Sequence, residues 1–220
     1  IECNVTSREF HTITGLYKGK RISVVSHGIG TDNIDIVLNE LDALANIDFD
    51  TRQEKESFRQ LMLVRVGTSG GLQDETPIGT YVAAEHSIGF DGVLYFYGDT
   101  ERVRNRSFEA ELLKQLDWSI EGLRPYVVAA DPSLIEQICQ QDILRGNTIA
   151  ANGFYGPQGR QLRLPLHDPE LNKKIQAFDY EGRHLTNYEM ESSSLAALSA
   201  LMGHRAMTVC CIIAGRKAQN

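Results

Sequence analysis

The chain is short of positive charge: 22 Lys and Arg stand against 29 Asp and Glu, a formal net charge of −7. No broad basic face is expected, which disfavours nucleic acid and anionic membrane surfaces as partners and leaves room only for a local cationic pocket. Cysteine is scarce, four in 220 residues (Cys3, Cys139, Cys210, Cys211), and shows no metal-ligand spacing. Cys210 and Cys211 are adjacent in an apolar run and read as buried thiols, in keeping with a reducing compartment. No apolar run approaches the ~18 residues of a spanning helix, and no secretory leader is recognised; a cytoplasmic location is expected. Repeats, low-complexity stretches and linkers are absent too, so residues 1–220 read as one domain. The 42% hydrophobic and 23% charged content is enough for a sizeable core.

Strand and helix patterns alternate along the chain. Phe10 to Tyr17 and Arg21 to Ser26 read as strands around a Lys18-Gly19-Lys20 turn. A helix follows, capped by Thr31 or Asp32, with Ile34, Val37, Leu38, Leu41 and Leu44 on its apolar face. After a charged loop from Asp48 to Ser57, strands are expected at Leu61 to Val66, Gly79 to Ser87, Val93 to Tyr97, Tyr126 to Ala130 and Ala206 to Ala214, with an extended stretch at Thr148 to Asn152. Helices are expected at Ser107 to Trp118, Pro132 to Gln141, Pro169 to Phe178 and Asn187 to Met202, and a loop from Phe154 to Asp168. This alternation implies an α/β layered domain with a largely buried mixed sheet.

Arg65 is the residue that stands out. It interrupts the apolar run Leu61-Met62-Leu63-Val64-Arg65-Val66, and the run leads into Gly67-Thr68-Ser69-Gly70-Gly71. A guanidinium in a buried strand is costly without an anionic partner, and the neighbouring sequence offers no carboxylate. Either a bound anion, held with the Thr68 and Ser69 hydroxyls and loop amides, or a distant Asp or Glu must supply the charge.

Three further segments carry possible chemistry, each with a plain structural rival. Gly28-Ile29-Gly30 lies between a strand and a helix start, where amides can face a phosphate. Asn33 occupies the third glycine position of a dinucleotide fingerprint, and no P-loop motif is present. In Asn187-Tyr188-Glu189-Met190-Glu191-Ser192, an acid could clasp a vicinal diol through its forked acceptors, or both acids could simply favour a helix N-terminus. In Phe154-Tyr155-Gly156-Pro157-Gln158-Gly159-Arg160, Gln158 and Arg160 offer donors and an acceptor that match a planar imide, and Phe154 could stack on its ring; an ordinary surface loop is the alternative.

In this order and at these separations, Arg65-Val66-Gly67-Thr68-Ser69-Gly70-Gly71, Gln158-Gly159-Arg160 and Asn187-Tyr188-Glu189-Met190-Glu191-Ser192 resemble the purine and uridine nucleoside phosphorylase family, its uridine-cleaving branch most closely. The likeness runs from Ser7-Arg8-Glu9-Phe10 to Arg216. It implies a single-domain, three-layer nucleoside-phosphorylase-like fold with a central mixed β-sheet flanked by helices. It implies reversible phosphorolysis of uridine, with inorganic phosphate as co-substrate and no organic cofactor. Arg65 and Thr68, with the Gly28 turn, would bind phosphate, and Arg8 would enter that site from a neighbouring subunit of a dimer or hexamer. Glu191, Met190, Glu189 and Thr68 would face the ribose. Gln158 and Arg160 would read the base, Phe154, Ile213 and Ala214 would wall its pocket, and Arg216 would support it. Arg65, Arg160 and Gln158 are the expected catalytic groups. Glu9, Ile29 and Asn33 fall where some relatives hold potassium, with Asn33 in place of a serine. Relatives also carry a phosphate-loop strand before the segment that Ile1 opens, and a helix after Asn220. Purine-cleaving relatives have an Asp just after the last strand; here Ile212-Ile213-Ala214-Gly215-Arg216 holds no acid. A purine phosphorylase, a nucleoside hydrolase and a catalytically silent nucleoside-binding protein are the alternatives.

Overall fold

A computed structural model describes residues 1–140 and 142–215. Arg216, expected near the base pocket, and Gln141, the expected end of a helix, lie outside the described residues. The first 26 residues form an antiparallel meander, β1 (Cys3–Ser7), β2 (Phe10–Tyr17) and β3 (Lys20–Ser26). Its β2–β3 turn puts Lys18 at φ +49° and Gly19 at φ +76°, two left-handed residues that suit a tight hairpin. α1 (Thr31–Asn46) follows, then the short ladder β4 (Ile47–Asp48) and β5 (Gln53–Glu54) inside the expected charged loop.

The main sheet has six strands: β6 (Met62–Gly71), β7 (Tyr81–Phe90), β8 (Tyr126–Ala129), β9 (Ile143–Ala151), β10 (Leu185–Glu189) and β11 (Arg205–Gly215). Their order is β11-β6-β10-β9-β7-β8, and β11 also pairs with β7, so five of the strands close on one another in a ring. The sheet is mixed: β6–β11, β9–β10 and β7–β9 are parallel, the other pairings antiparallel.

Helices cover both faces. Strand alternation on β8 sends Val127 to a cluster with Phe108, Leu112, Leu171 and Ile175, residues of α2 (Arg106–Gln115) and α4 (Leu171–Ala177). It sends Tyr126 and Val128 the other way, against Ala196 and Ala197 of α5 (Ser192–Met202). α1 packs through Ile34 and Leu38 on Leu195 and Leu198 of α5. α3 (Pro132–Ile138), started by the Asp131 side chain, closes on Ala83, Met207 and Val209. This is the expected three-layer α/β arrangement. No helix among the described residues is long and apolar enough to cross a membrane.

β1 and the β4–β5 ladder were not expected from the sequence, and β9 begins at Ile143 rather than Thr148; three further elements differ, each for a local reason. Val93–Phe96 is a single 3₁₀ turn rather than a strand, started by Gly92 at φ +104°. β6 continues through Gly67–Gly71 because β11 pairs with it along its whole length, so the glycine run is strand and not loop. The helix expected from Asn187 begins five residues later: Asn187 and Tyr188 are strand residues paired with Gly71 and Gly70 on one side and with Thr148 and Ile149 on the other.

Candidate active site

Arg65 finds its anion inside the protein. The burial pattern along β6 alternates, with Met62, Val64, Val66 and Thr68 exposed on one face and Arg65 turned to the other. There Nη1 lies 2.9 Å from Glu189 Oε2, Nη2 pairs with Glu191, and Nη1 also contacts the Cys210 thiol at 3.5 Å. The distant-carboxylate alternative is therefore what occupies this guanidinium, with acids 124 and 126 positions along the chain brought back by β10. Burial opposes the Arg65 charge, but Glu189 and then Glu191 outweigh it and hold the pKa above its ordinary value. Burial, seconded by Glu189, pushes the Cys210 thiol up to about 12, so it stays neutral. The guanidinium lies flat on Gly67: a Cβ there would come 2.9–3.0 Å from three of its atoms.

The two acids divide their duties. Glu189 is spent on α5: it accepts from the amides of Glu191 (2.9 Å) and Ser192 (3.0 Å) and from the Ser192 hydroxyl (2.6 Å), besides Arg65. This is the capping role, and it saturates the carboxylate. Glu191 makes fewer bonds, one from the Gly30 amide at 2.6 Å and one from Arg65, and each oxygen keeps acceptor capacity. Burial and the neighbouring Glu189 raise its pKa while Arg65 opposes them.

The Gly28–Gly30 turn serves Glu191. Gly28 and Gly30 sit at φ +73° and +99°, where side chains are strained, and a Cβ on Gly28 would meet Asn33 Nδ2 at 2.4 Å. α1 has Gly30 as its N-cap, with no side-chain cap from Thr31 or Asp32. Within the turn whose Gly28 was expected to face phosphate, the Gly30 amide is given to an internal carboxylate. Arg8, in the β1–β2 turn at φ +53°, is exposed.

The Phe154–Arg160 loop follows the end of β9 at Ala151. Gln158 ends a 3₁₀ turn, Gly156–Gln158, and is only 3% exposed. Gly159 follows at φ +67°, backed by Asn172, whose amide donates to Gln158 O at 3.2 Å. Arg160 Nη1 donates to Phe154 O and to Gln158 Oε1, both at 2.6 Å. Its guanidinium covers the Phe154 ring at 3.8 Å, while Tyr155 meets that ring edge-on at 5.4 Å. Phe154 was expected to stack on a base; in this structure one of its faces carries Arg160.

Strand register sets the segments that bear these groups side by side. Glu189 pairs with Ala150 of β9, so the Phe154–Arg160 loop turns off at the level of Met190. Tyr188 pairs with Gly70, and Gly70 pairs in turn with Ala214 of β11. Thr68, Ile213 and Ala214 are exposed and Met190 half-buried at this junction. Sequence reasoning missed Gly67, Cys210 and Asn187. Of these, Asn187 left a trace, as an amide inside what is a fully buried strand.

The whole chain, residues 1–220, matches the family model of the phosphorylase superfamily, and the protein belongs to that family. Among characterised relatives, a uridine phosphorylase of Thermococcus kodakarensis is 28% identical over 215 residues, 95% of this chain and 63% of the relative. A DeoD-type purine nucleoside phosphorylase of Brevibacillus brevis is 27% identical over 213 residues, 94% of this chain and 69% of the relative. The chain thus spans about two thirds of the length of these relatives. A crystal structure of a Trypanosoma brucei nucleoside phosphorylase, described as showing uridine phosphorylase activity, superposes with a TM-score of 0.86 and 27% identity, covering 98% of this chain and 77% of that one.

Proposed function

We propose that this protein cleaves uridine by reversible phosphorolysis, giving uracil and ribose 1-phosphate. The observation that carries the proposal is the register of β10: Glu189 pairs with Ala150, just before the loop that bears Gln158 and Arg160, and Glu191, two residues on, pairs with Arg65. Arg65 supplies a cationic seat for phosphate, joined by Thr68 and by Arg8 of a second copy in a homo-oligomer. Glu191 keeps acceptors for the ribose diol over Met190. Gln158 and Arg160, locked together through Arg160 Nη1 and Gln158 Oε1, would read the uracil edge. Ile213 and Ala214 wall the base pocket. A potassium ion is left out of the proposal.

A phosphate oxygen attacks C1′ opposite the base, the C1′–N1 bond breaks, and the configuration at C1′ inverts. Negative charge moves onto the departing uracil, where Arg160 and Gln158 stabilise it before solvent returns a proton. A donor placed where charge develops is worth roughly 3–4 kcal/mol, so Arg160→Ala is expected to lower kcat/KM on uridine by about 10²-fold or more. A loss below about fivefold would remove Arg160 from this role. The substrate class is tested by incubating uridine, inosine and adenosine with the full-length chain, with and without phosphate. Release of uracil alone, dependent on phosphate, is expected; cleavage of inosine or adenosine at comparable rates would overturn the pyrimidine assignment, which the lack of an acid at Ile212–Gly215 supports.

A further inference from the structure

Asn187 has no exposure to solvent, yet it is not an idle strand residue. Its Oδ1 accepts the hydroxyls of Thr148 and Thr186, each at 2.8 Å. Those donors fix which end of the amide is which and turn Nδ2 onto Ser69 Oγ at 3.0 Å. Thr186 Oγ1 also lies 3.0 Å from Asn147 O, so Thr148 is the donor with no competing acceptor. Asn187 is the one hydrogen-bond partner of Ser69 Oγ among the described residues. A hydroxyl that receives an N–H keeps its own proton for another acceptor. Ser69 shares its face of β6 with Gly67 and Arg65, and the Arg65 guanidinium folds along that face over Gly67. The Arg65 guanidinium, lying over Gly67, thus reaches to one same-face position before Ser69 on that strand.

We propose that Asn187 is a positioning residue: its N–H makes the Ser69 hydroxyl an obligate donor, and Ser69 with Arg65 binds a phosphate oxygen. This rests on the phosphorolysis reading. A purely structural network linking β6, β9 and β10 would use the same bonds but would not discriminate between substrates.

The test is steady-state kinetics of the full-length protein with phosphate and uridine varied separately, alongside thermal melting. Ser69→Ala is expected to raise the phosphate KM about tenfold or more, the scale of a lost bond to a charged group, and to leave the uridine KM within about twofold. Ser69→Thr, which keeps the hydroxyl, should stay near wild type. Asn187→Asp turns the donor into an acceptor, so it should reproduce the phosphate effect in wild type and add nothing in a Ser69→Ala background. If Asn187→Asp does not fold, Thr148→Val, which frees the amide to flip, takes its place in the same cycle. An unchanged phosphate KM in Ser69→Ala, a rise in uridine KM instead, or additive effects in the double variant would each overturn the proposal. Wild-type protein that releases uracil without phosphate would overturn the underlying reading instead.

Discussion

At the scale of single residues, Gly67 shows how little room the site leaves. Arg65 is pinned by Glu189, Glu191 and the Cys210 thiol, so it cannot swing away from an added methyl 2.9–3.0 Å distant. Gly67→Ala is therefore expected to raise the phosphate KM about tenfold or more and to cost ~1–3 kcal/mol through overpacking. Phosphate-dependent kinetics and a urea melt check both numbers; an unaltered phosphate KM would show that the guanidinium's seat does not matter to binding. Arg65 itself was legible because a charge in an apolar run demands an explanation. Its carboxylates were not, since only the pairing of β10 beside β6 brings positions 189 and 191 to position 65. Gln158 and Arg160 were legible as a pair because two positions in one turn suffice to join them. The stacking of Arg160 on Phe154 was not, because the sequence shows a guanidinium and a ring without saying which partner each prefers.

At the scale of elements, the β10–α5 junction separates two acids that the sequence presents alike. Glu189 caps α5 and neutralises Arg65 in the interior. Glu189→Ala removes one side of a buried pair, a loss of ~3–5 kcal/mol, readable by urea denaturation. Glu191→Gln keeps an acceptor for the Gly30 amide and relieves the repulsion by Glu189, so stability should stay within ~1 kcal/mol. Its kcat/KM on uridine should fall by about 10². Equal stability losses in the two variants would contradict this division. Sequence patterning ran the helix back to Asn187 because acids before a Ser- and Ala-rich stretch suit a helix start. β10 escapes that patterning since its strand character comes from β6 and β9 on either side.

At the scale of the whole molecule, the α/β class and helix-covered sheet could be read from alternating strand and helix patterns. The β7–β11 pairing that closes the ring could not, because periodicity says which face a strand buries and nothing about its neighbours. Global stability should follow a half-buried histidine of that sheet, His86. Burial, seconded by Arg183, lowers the pKa of His86 below the ordinary 6.5, with its Nδ1 against Asn147 Oδ1. The unfolded chain therefore binds a proton that the folded chain resists. The full stability is present above about pH 6.5 and is lost as pH falls from there through the lower folded-state pKa. The Tm at pH 5.5 should lie below that at pH 7.5, and His86→Gln should shrink the gap; a Tm that holds or rises on acidification, with no effect of His86→Gln, would contradict the assignment.

One measurement reaches the central claim directly: phosphorus NMR of uridine and inorganic phosphate incubated with the full-length chain. A new α-ribose 1-phosphate resonance should grow as inorganic phosphate declines, one molecule for each uracil released. Uracil accompanied by free ribose, with the phosphate signal unchanged, would contradict it.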